Sequence, residues 1–304
     1  MSQFYLDHYG FSVRPFSILP DPAMLFWSDR HKKAFAVLEY GLMTRAPLTV
    51  VTGEVGAGKT TLIQALLRRT GPDMRIGLIS NARGDRGDLL RWILNAFDIA
   101  PPPGADYVDM FQTFQDFVLS EYAAGRLVVL IFDEAQNLGA DTLEELRMLT
   151  NINSGTDELL QLVLLGQPEL RDIITRAELR QFAQRVSATF HLGSFDPDTS
   201  AAYIRHRLQK AGGTGQEIDA AAMARIHAEA RGVPRMINKI ADLALVYGAA
   251  ADRKTVGADI VDELIRDGLI LTAAPEPTLP EPAPADRPAR LVLAHEQEVK
   301  RDAT

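Results

Sequence analysis

Glycines, a lysine and a threonine are gathered in one short stretch, Gly53-Glu54-Val55-Gly56-Ala57-Gly58-Lys59-Thr60. Their types and spacing suit polyphosphate. Glycines at 53, 56 and 58 let the backbone curl so that successive N–H groups face inward, and a following helix adds the positive end of its dipole. Lys59 can then reach the β- and γ-phosphates, and Thr60 can set its hydroxyl on Mg²⁺. Glu54, Val55, Ala57 and Thr61 complete the backbone expected to touch the nucleotide. The apolar run Leu48-Thr49-Val50-Val51 precedes the stretch and an amphipathic run beginning Thr61-Leu62-Ile63 follows it. That strand–loop–helix setting separates a phosphate loop from a chance glycine-rich turn.

Further along, Leu127-Val128-Val129-Leu130-Ile131-Phe132 has the unbroken apolar character of a strand buried on both faces, and it delivers Asp133-Glu134 at its carboxyl end. In an open parallel α/β sheet, ligands bind beyond those strand ends. Asp133 is expected to orient Mg²⁺ and its waters, and Glu134 to align and polarise an attacking water. An acidic pair alone often does no more than open a helix. Together with the upstream loop it predicts hydrolysis of ATP.

Strands and helices must bring these groups together. Residues 1–28 are rich in aromatics and prolines and are expected to form an irregular strap packed onto a domain. Ser28 or Asp29 can cap a helix to about Arg45, with Phe35, Leu38, Tyr40 and Leu42 as its apolar positions. Strands are expected near 48–52, 75–81, 127–132, 159–165 and 186–192. Between them come helices near 59–69, 86–98 and 105–124, one capped by Asp141, and a helical stretch containing Arg171, Arg180 and Arg185. This alternation predicts a doubly wound parallel sheet over 29–194. From 195 to 270 the pattern becomes helical only, near 198–211, 219–230, 233–250 and 257–268. Beyond 271 the chain turns proline-rich and is expected to be a disordered tail, with Leu291-Val292-Leu293 as a short docking stretch.

Composition sets outer limits. A chain of 304 residues with 46% hydrophobic content can build one α/β domain and a smaller attached unit. It has no cysteine, which excludes disulfides and Cys-based zinc sites. The histidines are scattered, so nucleotide-bound Mg²⁺ is the one metal implied. A net charge of −8 argues against gripping DNA as the main task. Neither a membrane-spanning run nor a cationic-then-apolar leader is legible, so a cytoplasmic location is expected.

Taken together, Phe11 through Tyr40, Thr52 through Thr61, Phe132-Asp133-Glu134-Ala135-Gln136-Asn137-Leu138 and Leu165-Gly166-Gln167-Pro168-Glu169-Leu170 resemble the AAA+ ATPases of the general secretion pathway protein A type. Similar ATPases accompany exosortase (PEP-CTERM) and exopolysaccharide export systems. The resemblance covers residues 1 to about 270. It implies a P-loop NTPase fold, a three-layer αβα parallel sheet followed by a small all-helical lid domain, with ATP and Mg²⁺ as cofactors.

By this resemblance Gln167 falls at the sensor-1 position, where a polar side chain reads the γ-phosphate and the attacking water. Arg185 matches an arginine finger that enters a neighbouring subunit, with Arg180 as second candidate, and so implies a homo-oligomer. Arg235, in Arg231-Gly232-Val233-Pro234-Arg235, fits the sensor-2 position at the start of a lid helix. Asn81 could hold Glu134 away from water until a partner binds. The implied partners are protein components of an export or envelope machine, with any inner-membrane association peripheral and through those partners. Secretion-type relatives continue into a membrane-spanning helix and a peptidoglycan-binding region. The proline-rich tail stands there instead, so cell-wall binding is not carried over and the shorter, exosortase-associated or generic cytoplasmic form is the expected match. The competing expectation is a DNA-associated ATPase of the transposition-helper or origin-binding type. The balanced charges of 195–270 favour protein partners over nucleic acid.

Overall fold

A computed structural model of the chain describes residues 4–17, 24–80, 88–154 and 157–270. In chain order the elements are α1 Phe4–Tyr9, α2 Asp29–Met43, β1 Leu48–Gly53, α3 Lys59–Arg69, β2 Met74–Ser80, α4 Leu89–Ala96, α5 Tyr107–Ala123, β3 Leu127–Asp133 and α6 Ala140–Leu149. There follow β4 Asn153–Ser154, β5 Asp157–Glu158, β6 Leu160–Gly166, α7 Glu169–Ile174, α8 Arg180–Arg185 and β7 Val186–Leu192. The helices α9 Pro197–Lys210, α10 Ala220–Ala230, α11 Pro234–Ala250 and α12 Ala258–Arg266 complete the fold.

Five strands pair in the order β2-β3-β6-β1-β7, and every neighbouring pair is parallel. The period-two alternation of a strand divides the apolar residues between two faces. Val128, Leu130 and Phe132 of β3, with Leu162 and Leu164 of β6, join one buried cluster with Leu90, Phe114 and Leu146 from α4, α5 and α6. Val129, Ile131, Val163 and Leu165 point the other way, onto Leu38 of α2 and Leu62 and Leu66 of α3. Gln161 interrupts the apolar run of β6. It is fully buried and donates to the carbonyls of Gly41 (3.3 Å) and Leu42 (3.4 Å), two of the groups the end of α2 leaves without a helical partner.

The register decides where the site falls. Thr52 lies opposite Gly166, Phe132 opposite Leu164, and Ser80 opposite Asp133, so the carboxyl ends of β1, β6 and β3 stand level. At about 4.8 Å between neighbouring strands, the loop after β1 and the acids after β3 are roughly 10 Å apart with β6 between them.

The helices α9–α12 form a second hydrophobic layer, and the N-terminal segment belongs to it. Tyr5, Phe11, Phe16 and Met24 bury in one cluster with Ile204, Leu208, Ile237, Leu245 and Leu264. Arg207, itself buried, donates to the carbonyls of Pro15 (2.6 Å) and Ser17 (3.1 Å), while Asp242 accepts from Tyr5 Oη (2.7 Å) and Arg14 Nε (3.1 Å). These bonds satisfy polar groups that an irregular buried segment would otherwise leave unmet.

Several expectations are corrected. The N-terminal segment is not irregular throughout, because Phe4–Tyr9 is helical. Tyr40 is 60% exposed. Phe35, Leu38 and Leu42 share one face at i, i+3 and i+7, whereas Tyr40 falls between them at the wrong angle. Asp141 lies inside the first turn of α6, with Gly139 at the capping position. The stretch carrying Arg171, Arg180 and Arg185 is broken into α7, a 3₁₀ turn at Ala177–Leu179, and α8. The expectations for the tail, including Leu291-Val292-Leu293, lie outside the described residues.

Candidate active site

Gly56 and Gly58 carry φ of 80° and 103°, in the left-handed region where L side chains are strained. Space excludes a side chain there as well. A Cβ at Gly58 would come 2.6 Å from His31 Nε2, and one at Gly56 would overlap Arg235 Cβ. The loop curls around Lys59, whose buried Nζ donates to the carbonyls of Gly53 (2.6 Å) and Glu54 (3.0 Å). Burial pushes the Lys59 ammonium below its ordinary range, opposed by the charges of Glu134, Asp133, Glu54 and Glu169.

Thr60, in the first turn of α3, donates its hydroxyl to Asp133 Oδ2 at 3.1 Å. This contact joins the phosphate loop to the acidic strand end across the width of β6. Asp133 is buried and held above the usual carboxylate range by desolvation, against the bonds from Thr60 and from the Glu134 amide. Glu134 adopts φ 57° and ψ 39°, an uncommon conformation for a residue with a side chain. Its Oε2 accepts from Gln136 Nε2 (2.6 Å) and from Gln167 Nε2 (3.1 Å), while Gln136 Oε1 accepts from the Gln167 amide (3.0 Å). Burial pushes the Glu134 carboxyl up, but the two amide donors and the Lys59 charge outweigh it and leave it below its usual range. Glu134 is therefore an aimed, ionised carboxylate.

The helical layer closes the other side. Val233 and Pro234 start α11 with proline at a position where its missing N–H is harmless, and Arg235 follows in the first turn. Arg235, Asn238 and Tyr203 line a cleft of ≈ 400 Å³ together with the loop, Glu134 and Met24-Leu25-Phe26. At its apolar end Phe26 packs edge-on against Phe195 (6.1 Å) and Tyr203 (5.5 Å). The Tyr203 hydroxyl donates to Asn238 Oδ1 at 2.7 Å.

The structure thus lines one cleft with Val55 through Thr61, Glu134 and Arg235, and bonds Gly53 and Glu54 to Lys59, Asp133 to Thr60 and Gln167 to Glu134 behind them. Arg185 lies outside it. Its guanidinium donates to Asn151 Oδ1 (2.5 Å) and Glu158 Oε1 (3.3 Å), and Arg180 is exposed at the start of the same short helix. Asn81 lies outside the described residues. Sequence reasoning missed Gln136, which stands two residues beyond Glu134 inside a motif already in view. It also missed His31, Tyr203 and Asn238, which carry no local signal because folding alone brings them to the loop.

A parallel five-stranded sheet with the phosphate loop after its fourth strand in spatial order, acids after the second, and a helical layer over the cleft defines an AAA+ protein of the P-loop class. Residues 43–174 match the family model of an AAA domain. Over 257 residues the chain is 39% identical to "General secretion pathway protein A" of Aeromonas hydrophila, covering 84% of this chain and 47% of that protein. Residues 43–174 thus carry an AAA domain, and over most of its length the chain is similar to a general secretion pathway protein A. It spans about half the length of that curated relative. Among solved structures it is similar to the Aeropyrum pernix ORC2 protein in its ADPNP–ADP complexes, with TM-score 0.63 and 18% identity over 84% of this chain and 72% of that one. Cdc6p from Pyrobaculum aerophilum is similar at TM-score 0.65 and 15% identity, over 83% and 70% respectively. These two likenesses are of fold. Among the described residues, no helix is long and apolar enough to cross a membrane.

Proposed function

We propose that this chain is a Mg²⁺-dependent ATPase that closes its helical layer on ATP and uses the cycle to assemble or regulate a secretion, exopolysaccharide or envelope export system. The observation that carries the reading is the bonded set Thr60–Asp133 and Gln167–Glu134–Gln136 facing Lys59 across one cleft. The residues fit the nucleotide and its metal. The left-handed backbone at Gly56 and Gly58 lets the loop curl around Lys59, and Thr60 with Asp133 offers the hard oxygen donors that Mg²⁺ takes.

In this reading the loop amides and Lys59 hold the β- and γ-phosphates, and Thr60 and Asp133 hold the metal. Mg²⁺, when bound, neutralises charge on the phosphate oxygens. Glu134 orients the attacking water and draws its proton, and Gln167, just beyond the end of the intervening strand, keeps that carboxylate aimed. Arg235 adds charge from the helical layer, so binding and closure are one event. Arg185 serves a neighbouring copy of the chain, exchanging Glu158 for the transferring phosphate. The likeness to a general secretion pathway protein supports protein partners of an export machine.

Titration of MgATP followed by phosphate release tests the reading. Glu134→Gln is expected to bind MgATP and to turn it over at least about a hundredfold more slowly. Normal turnover in that variant refutes the role of Glu134. Wild-type specific activity should rise with protein concentration, and a concentration-independent rate that survives Arg185→Ala refutes the finger. Retention of duplex DNA that depends on ATP and falls with salt would favour nucleic acid over protein partners.

A further inference from the structure

His31 lies in the first turn of α2, distant in sequence from the phosphate loop, yet it is 5% exposed and touches that loop directly. Its ring is bonded at both nitrogens. Nε2 stands 3.1 Å from the Ala57 carbonyl oxygen, and Nδ1 stands 2.7 Å from Ser28 Oγ. A carbonyl can only accept, so Nε2 carries a proton and donates it. In the neutral ring Nδ1 is then the acceptor, and the Ser28 hydroxyl donates to it. Ser28 Oγ in turn accepts from the His31 amide at 3.2 Å, which is the N-cap bond of α2. The cap, the ring tautomer and the loop carbonyl therefore form one directed chain of hydrogen bonds.

The consequence for the loop follows from peptide planarity. In a trans peptide the C=O of one residue and the N–H of the next point in opposite directions. With the Ala57 oxygen turned to His31, the Gly58 N–H points away from that ring. The ring also occupies the space beside Gly58 Cα, where a Cβ would come 2.6 Å from Nε2. Without His31 that peptide loses the side-chain bond to its oxygen, and Gly58, at φ 103°, has no side chain to restrain it.

We propose that His31 is a positioning residue for nucleotide binding, one that sets the Ala57–Gly58 peptide so that the Gly58 amide faces the polyphosphate, with Ser28 fixing its tautomer. The inference rests on the phosphate-loop reading of residues 53–60. It assigns His31 to affinity, and the water-activating set of Glu134, Gln136 and Gln167 is untouched by it.

The test compares His31→Phe, which keeps a ring but has no donor, with His31→Gln, whose amide can reach the same carbonyl. Dissociation constants for MgATP and MgADP are measured by titration, with kcat from phosphate release and folding from circular dichroism. His31→Phe should lose about tenfold in affinity for both nucleotides. His31→Gln should regain most of it, and kcat at saturating ATP should stay within about twofold of wild type in both. Equal affinities for wild type and His31→Phe overturn the inference while leaving nucleotide binding intact. Failure of the wild type to take up MgATP overturns the phosphate-loop reading itself. If His31→Phe does not fold, His31→Ala replaces it, and equal affinities for His31→Ala and His31→Gln overturn the proposal.

Discussion

Gly56→Ala probes the contact between the two layers in a way that no loss of charge can mimic. The added Cβ carries two separable penalties. Holding an L residue at φ 80° is worth roughly 1–2 kcal/mol. The same Cβ would overlap Arg235 Cβ and stand 3.1 Å from its Cδ, and such overpacking typically adds about 1–3 kcal/mol. The sum predicts a fall in melting temperature on the order of 10 °C for a chain of this size. Thermal unfolding without nucleotide, in three backgrounds, separates the parts. Arg235→Ala retains the Cβ that makes the severe overlap, so most of the Gly56→Ala penalty should persist there. Arg235→Gly removes it, so there the penalty should shrink to the backbone strain alone. Stability would be rescued but nucleotide affinity would not, because the guanidinium is gone as well. An equal penalty in all three backgrounds would refute the argument that α11 rides on the loop at this point.

Gln136→Ala removes the shorter of the two amide bonds to Glu134 and should lower kcat roughly ten- to a hundredfold. The acid limb of the rate profile should move to higher pH, because burial would act on Glu134 with less opposition; an unchanged profile would count against that bond's role. Asp242→Ala leaves the buried Tyr5 hydroxyl without its acceptor and the half-exposed Arg14 guanidinium to water, and should cost about 1–2 kcal/mol. Limited proteolysis of residues 4–17 should accelerate in that variant, and wild-type protection would show that the ion pair does not hold the segment. Burial keeps His31 below its ordinary range, so in acid the unfolded state, titrating near about 6.5, binds the additional proton. This contribution to stability is full above that value and is lost as pH falls through it. The melting temperature of wild type should therefore drop more steeply between about pH 7.5 and 5.5 than that of His31→Gln, and parallel slopes would contradict the assignment.

What the sequence determined is what local chemistry determines. The glycine spacing around Lys59, the apolar run into Asp133-Glu134 and the change to helices after Phe195 each report on a segment whose conformation follows from its own residues. Strands were legible because burial on both faces leaves an apolar run. Two-residue β4 and β5 leave no such trace, and Tyr40 misled because an aromatic near a helical stripe looks like part of it. Gln136 was printed inside a recognised motif, yet its bond to Glu134 depends on the left-handed backbone of that glutamate, which nothing in the residue order announces.

The tertiary structure alone decided the rest. It packed residues 4–17 and 24–26 onto the helical layer through Tyr5, Phe16 and Met24, and set Arg235 against Gly56. It turned the Ala57 carbonyl toward His31 and engaged Arg185 with Glu158 and Asn151. Each of these joins residues far apart in the chain, and such contacts are selected by the level alignment of strand ends and by the complementarity of two buried surfaces. Local pattern specifies the elements, whereas the meeting of their side chains exists only once the sheet register and the layer packing have been fixed.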